Sequence, residues 1–265
     1  MISKQFDWKN TSEVIENQQL NLFVSANNLV FFSKNESKDL ILLTDFNTNS
    51  VENWYNLEFE PDEIDTINQF ISEKSISKIF VSNVPYSLVP SNLFNKDSIE
   101  NYLTTSRKIN SNFTPKYQFI EDLNLYLVYD APTKTNLIPE LSNSEETHWL
   151  ASFLPFLQKN SIEDCNIYAV IVNRTLSIIV FQQEKLLFVN DFEIKDSIDA
   201  LYFILLVYQE LHQNPSNIPL SLIGQISEDS EIVNHLKRYI ATVKIENNLY
   251  DTNPELSFYS YLLNL

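Results

Sequence analysis

Between Asn166 and Ile245 the chain sets out three runs dense in β-branched and apolar residues, NIYAVIV, TLSIIVF and KLLFVNDFEI. A helix-length segment, DSIDALYFILLVYQELHQ, and a short apolar run, IPLSLIG, follow them. Only Asn173 and Arg174 part the first two runs, and an asparagine at a two-residue break supplies the positive φ of a tight hairpin. The predicted order is strand, strand, strand, helix, strand. A helix joining strands of one sheet favours a right-handed crossover and a parallel return, so the sheet is mixed. The helix, over about 196–213, is apolar nearly all round from Ala200 to Tyr208. Such a helix is expected to be covered on more than one side, by its own sheet and by the other half of the chain.

The same order is predicted nearer the N-terminus. NLFVS, LVFFS after Asn27 and Asn28, and DLILLT are three strands; a loop over 45–60 carries Trp54 and Tyr55; PDEIDTINQFISEKS is a helix and SKIFVSN a fourth strand. Pro61 suits the first helical turn, and Ile64, Ile67, Phe70 and Ile71 line one face. Residues 1–19 read as a polar arm laid on the fold. VPYSLVPSNLF reads as a proline-bracketed loop and KDSIENYL as a short helix. YQFIEDLNLYLVYD gives two short strands, parted at Glu121 and Asp122, that extend the first sheet. A connector follows, turn-rich and then helical through THWLASFLPFLQK, with a start near Ser144 and a kink or early end at Pro155. Past Gly224, SEDSEIVNHLKRYI is an amphipathic helix with Ile232, Val233 and Leu236 inward, ATVKIEN is a last strand, and SFYSYLLNL is apolar enough to dock. The expected division is 1–130, a connector over 131–164, and 165–265.

Composition narrows the functional classes. With 44% hydrophobic residues the chain can bury a substantial core despite a net charge of −17. That charge repels phosphate backbones and anionic lipids, so no nucleic acid is expected as partner. No apolar run is long enough to span a bilayer and the N-terminal stretch has no signal-peptide core, so no membrane insertion and a cytoplasmic location are expected. One cysteine, Cys165, excludes an intramolecular disulfide and a cysteine-cluster zinc site. His148, His212 and His235 show no ligand-type spacing, and no metal is expected. Average usage would give about 19 glycines, and there is one, Gly224. The 31 asparagines are expected to take over many positive-φ turns. They cannot replace glycine where a backbone must approach a phosphate closely, because the Cβ stays in the way.

Two copies of this unit joined by a helical connector resemble the actin-like ATPase superfamily, including the PilM and GspL scaffolds of bacteria. VPYSLVPSNLF followed by KDSIENYL resembles the segment after the fourth strand in the PilM and GspL branch. Through the VPYSLVP stretch, the SNLF after it and the ending LLNL, the whole chain is similar to an uncharacterised bacterial family, domain of unknown function 3822. The resemblance implies an α/β fold: a tandem duplication of a ribonuclease-H-like (actin-like ATPase) mixed-sheet domain. In active members, the resemblance further implies, each first hairpin carries an Asp-x-Gly-Thr type motif whose backbone N–H groups hold nucleotide phosphates and whose aspartate manages Mg²⁺. Here the corresponding turns are Ser25-Ala26-Asn27-Asn28 and Val172-Asn173-Arg174-Thr175, without glycine or aspartate.

The remaining candidates are weighed against ordinary structural roles. If a nucleotide binds, Asn27, Asn173, Arg174 and Gly224 are the cofactor-binding candidates, although Glu228, Asp229 and Glu231 beside Gly224 disfavour a phosphate. Gly224 otherwise relieves a turn. Asp45 and Asp191, each near the end of a third strand, could hold Mg²⁺ or act as acid and base; the competing reading makes them exposed edge and turn acids. His148 is either a site or a satisfied structural group, and Arg174 meets an anion or solvent. Trp54, Tyr55, Pro85, Tyr86, Leu88 and Pro90 are candidates for a partner surface, or pack under the sheet. The expected function is a non-catalytic pseudo-ATPase scaffold that engages a protein partner or itself, with no catalytic residue and no cofactor. The alternative is a divergent nucleotide-binding ATPase or kinase.

Overall fold

The computed structural model describes residues 3–10, 19–25, 28–37, 39–47, 61–72, 74–104, 113–132, 144–161, 163–246 and 254–265. The chain divides into two compact units, Met1–Ser152 and Phe153–Leu265.

The N-terminal unit is built on strands β1 (Ser3–Lys9), β2 (Gln19–Val24), β3 (Asn28–Lys34), β4 (Leu40–Asn47), β5 (Ser75–Val81) and β9 (Glu145–His148). Their order across the sheet is β1-β4-β3-β2-β5-β9. β2 and β3 form the expected hairpin, and helix α1 (Pro61–Ile71) carries the chain over to β5, which returns parallel to β2. The apolar runs of β3 and β4 are buried along nearly their whole length, the pattern of strands covered on both faces. Ile67 and Ile71 of α1 are fully buried, and Phe70 meets Phe31 and Phe46 at centroid distances of 5.0 and 5.2 Å. Each such side chain contributes roughly 1.5–3 kcal/mol by leaving water.

Four expectations for this half are corrected. The polar arm contains β1, an antiparallel strand on β4, where Asp7 accepts from the Thr44 hydroxyl at 2.8 Å. The VPYSLVP stretch is not a loop: Tyr86–Pro90 is strand β6. With β7 (Phe113–Ile120) and β8 (Leu125–Pro132) it makes a separate antiparallel sheet, order β6-β8-β7, so the latter two do not extend the main sheet. Proline fits here because Pro90 ends an edge strand, where its missing N–H costs no ladder bond. A 3-10 helix, Lys96–Leu103, packs on this small sheet; its Leu103 and Val128 of β8 are fully buried, and the Asn95 side chain caps the helix by accepting from the Asp97 N–H at 3.0 Å. Ser144 does not start a helix. Its hydroxyl donates to the Ile76 carbonyl at 2.8 Å and leads into β9, and helix α2 (Leu150–Lys159) starts later, with Pro155 inside it.

The C-terminal unit contains β10 (Cys165–Val172), β11 (Thr175–Gln182), β12 (Lys185–Glu193), β13 (Leu220–Gly224) and β14 (Val243–Ile245), in the order β12-β11-β10-β13-β14. Helix α3 (Ser197–Glu210) makes the crossover, and β13 returns parallel to β10. Asp196 caps α3, its carboxylate accepting from the N–H groups of Ile198 and Asp199, while Asp199 accepts from the Lys195 N–H, so donors at the helix start are satisfied reciprocally. Ala200, Ile204, Val207 and Tyr208 are the buried face of α3. Cover of the apolar belt is incomplete: Tyr202 within it is 60% exposed, and Ile198 before it 55%. Helix α4 (Glu231–Leu236) buries Val233 and Leu236, and the tail buries Tyr259, Tyr261 and Leu262. Asparagine does take positive φ at Asn83, Asn124 and Asn173, and the β11–β12 turn places Gln183 and Glu184 there without any glycine.

Candidate functional site

In each unit the carboxyl ends of the first hairpin strand and its parallel return strand, β2 with β5 and β10 with β13, lie side by side next to the hairpin. Ligands of open α/β sheets bind outside such strand ends. In the C-terminal unit the Gln225 N–H donates to the Ile171 carbonyl at 2.8 Å, and in the N-terminal unit the Ser82 N–H donates to the Val24 carbonyl at 2.9 Å. Gly224 and Val81 therefore hold matching places, opposite Ile171 and Val24 in register.

Side chains of the protein itself make hydrogen bonds at both strand ends. The Asn173 N–H at the tip of the β10–β11 hairpin donates to the Gln225 side-chain oxygen at 2.6 Å. The Ser82 hydroxyl lies 2.9 Å from both the Val24 carbonyl and Asn83 Oδ1. Gly224 has φ +101°, and a Cβ on it would collide with the carbonyl oxygen of Ile171 and lie 3.1 Å from its carbonyl carbon. At this glycine two backbones of one sheet come close, which a side chain would prevent. Asn173 has φ 56°, and Arg174 is exposed. Beyond Gly224 the Ser227 hydroxyl donates to Asp229 at 2.7 Å and holds its carboxyl below the usual range, so negative charge persists beside the strand end. Asn27, Trp54 and Tyr55 lie outside the described residues.

Neither candidate acid is exposed. Asp45 is buried and accepts from the Asn28 side-chain amide at 2.6 Å. Burial pushes the Asp191 carboxyl up to about 6 against the opposing hydrogen bond from Ser177, and its Oδ1 is buried without a partner. His148 is wholly buried at the end of β9, beside the rings of Tyr86 and Tyr129 at 5.1 and 5.5 Å. Its Nδ1 accepts from the Leu150 N–H at 3.3 Å, its Nε2 has no partner, and burial lowers its pKa to about 3. The enclosed imidazole is therefore neutral at pH 7. No group of three or more His, Cys, Asp or Glu that could hold a metal occurs among the described residues.

Of the partner-surface candidates, Pro85, Tyr86 and Leu88 are half-buried and Pro90 is exposed. The neighbouring strand β7 carries apolar surface that its sequence concealed. Tyr117 and Phe119 point outward from it, alternating with Lys116 and Gln118, and Phe94 stacks on Tyr126 at 3.8 Å between them. The alternation in KYQF was a usable signal once that run was known to be an edge strand. On the other side of β7, a cleft of about 390 Å³ separates it from β9. Lys116 crosses it to Glu146 at 2.8 Å, Tyr129 donates to the Glu146 carbonyl at 3.3 Å, and the Thr147 hydroxyl meets the Gln118 side chain. Among the described residues no helix is long and apolar enough to cross a membrane.

The mixed sheets, crossover helices and strand orders are consistent with the actin-like ATPase fold. The chain belongs to the DUF3822 family, described as proteins of unknown function, whose family profile matches residues 7–243. Among solved structures it is similar to a Bacteroides thetaiotaomicron protein with actin-like ATPase fold and unknown function. That likeness has 20% identity and a TM-score of 0.75, over 93% of this chain and 95% of that one. It is also similar to a chain of the PilM-PilN type IV pilus biogenesis complex, at 13% identity and a TM-score of 0.53 over 93% of this chain and 97% of that one. At these identities the likeness is one of fold. No curated protein matches the chain by sequence.

Proposed function

We propose that this chain is a non-catalytic scaffold of the actin-like fold: a cytoplasmic pseudo-ATPase, built by tandem duplication, that engages a protein partner or a second copy of itself. The hydrogen bond from the Asn173 N–H to the Gln225 side-chain oxygen supports this reading most directly. A phosphate held at a hairpin tip needs that backbone donor, and here a side chain 52 residues further along the chain takes it. The similarity to a chain of the PilM-PilN complex supports a role in protein assembly. The reading keeps the division into 1–130, a connector over 131–164 and 165–265 as its working boundaries, and keeps Pro85, Tyr86, Leu88 and Pro90 near the partner surface. Phosphate release from ATP with Mg²⁺ should stay at the buffer's background rate. Sustained phosphate release above that rate would overturn the proposal.

A further inference from the structure

Strand β12 closes one side of the C-terminal sheet, and among the described residues only β11 pairs with it. It runs nine residues, KLLFVNDFE, without proline or glycine. Natural edge strands of this length and apolar content are normally blunted or covered, because their outward N–H and C=O groups form a template for another strand. The matching third strand of the other unit, β4, is covered: β1 lies antiparallel on it, and Leu40–Phe46 are all buried. In β12 the burial is broken throughout, with Leu187 46% exposed where a bulge against Val180 and Phe181 leaves it unpaired. The apolar surface continues onto α3, where Phe203 stacks on Phe192 at 4.4 Å and the exposed Tyr202 and Ile198 follow.

We propose that two copies of this chain pair through β12, antiparallel about a two-fold axis at Val189, so that two five-stranded sheets continue into one another. The ends of the strand are complementary to themselves in that register: Lys185 falls opposite the partner's Glu193 and Leu186 opposite the partner's Phe192, while nearer the axis Leu187 meets the partner's Asp191 and Phe188 the partner's Asn190. Opposite charges and apolar side chains facing each other across antiparallel strands favour pairing, and like charges there oppose it. An isologous contact of this kind closes at two subunits and does not propagate. It gives the interaction module proposed above its self-association surface and rests on that reading.

Sedimentation velocity of the full chain tests the pairing. The wild type is expected at twice 30.9 kDa in the tens-of-micromolar range. Glu193→Lys, at an exposed position, sets lysine against lysine twice and should raise the dimer dissociation constant about tenfold with an unchanged thermal midpoint. Lys185→Glu combined with Glu193→Lys should restore the dimer. A wild type that stays at 30.9 kDa up to about 0.5 mM, a weak limit for any specific contact, overturns the proposal. So does a dimer that Glu193→Lys leaves intact or that the double substitution fails to restore. A monomer that ignores ATP would overturn this pairing and leave the non-catalytic reading in place, and a dimer that turns ATP over would do the reverse.

Discussion

Gly224→Ala is expected to destabilise the C-terminal unit by about 3 kcal/mol or more, the sum of a strained positive φ and a backbone collision. The new methyl group would meet the carbonyl of Ile171, which cannot withdraw: it lies in a central strand and already accepts the Gln225 N–H. For a chain of this size the thermal midpoint should fall by roughly 6–12 °C. Val81→Ala, at the matching place of the other unit, involves no such φ and should lose only the packing of its two methyl groups. Equal midpoints for wild type and Gly224→Ala would show that the strand end is looser than the close approach implies.

The second large effect is acid sensitivity through His148. Its folded pKa of about 3 lies below the ordinary value of 6.5, so between those values the unfolded chain takes up a proton that the folded chain refuses. The stability contributed is present above pH 6.5 and is lost as pH falls toward 3, on the order of 4 kcal/mol over the whole window. His148→Phe should be somewhat less stable at pH 7, because the Leu150 N–H loses its acceptor. It should then lose clearly less than the wild type between pH 7 and pH 4.5. Asp191 acts oppositely: its carboxyl is raised to about 6, so its contribution is present below pH 3.8 and lost as pH rises through 6. It titrates equally in both proteins, so comparing their urea midpoints isolates the histidine. Identical losses in the two would show that His148 is protonated within the fold.

Both crossover orders were legible because their strands are short, nearly unbroken apolar runs and their helices exceed any strand in length. The Asn173 hairpin was legible because only two residues separate β10 from β11. Strands made by distant pairing were not. Glu145–His148 is a polar tetrapeptide that becomes a strand only by lying along β5, and nothing local in Ser3–Lys9 announces that it covers β4. The prolines of VPYSLVP suggested a loop, although one precedes β6 and the other ends it. Apolar composition around α3 could not say which sides would be covered, and Ile198 and Tyr202 stand in solvent. The absence of glycine and aspartate from the turn at Asn173 and Arg174 was plain in the sequence. The Gln225 contact that occupies the Asn173 N–H was not, because it joins residues far apart in the chain.

The central claim is that the Asn173 N–H at the β10–β11 hairpin tip, a donor that a phosphate bound there would need, is taken by the Gln225 side chain of the protein itself. Calorimetric titration of the full chain with ATP and Mg²⁺ tests it most directly. The account predicts no saturable heat up to about 1 mM nucleotide, corresponding to binding weaker than roughly 4 kcal/mol. A saturable heat of micromolar affinity, weakened by substitution at Asn173 or Gln225, would contradict it.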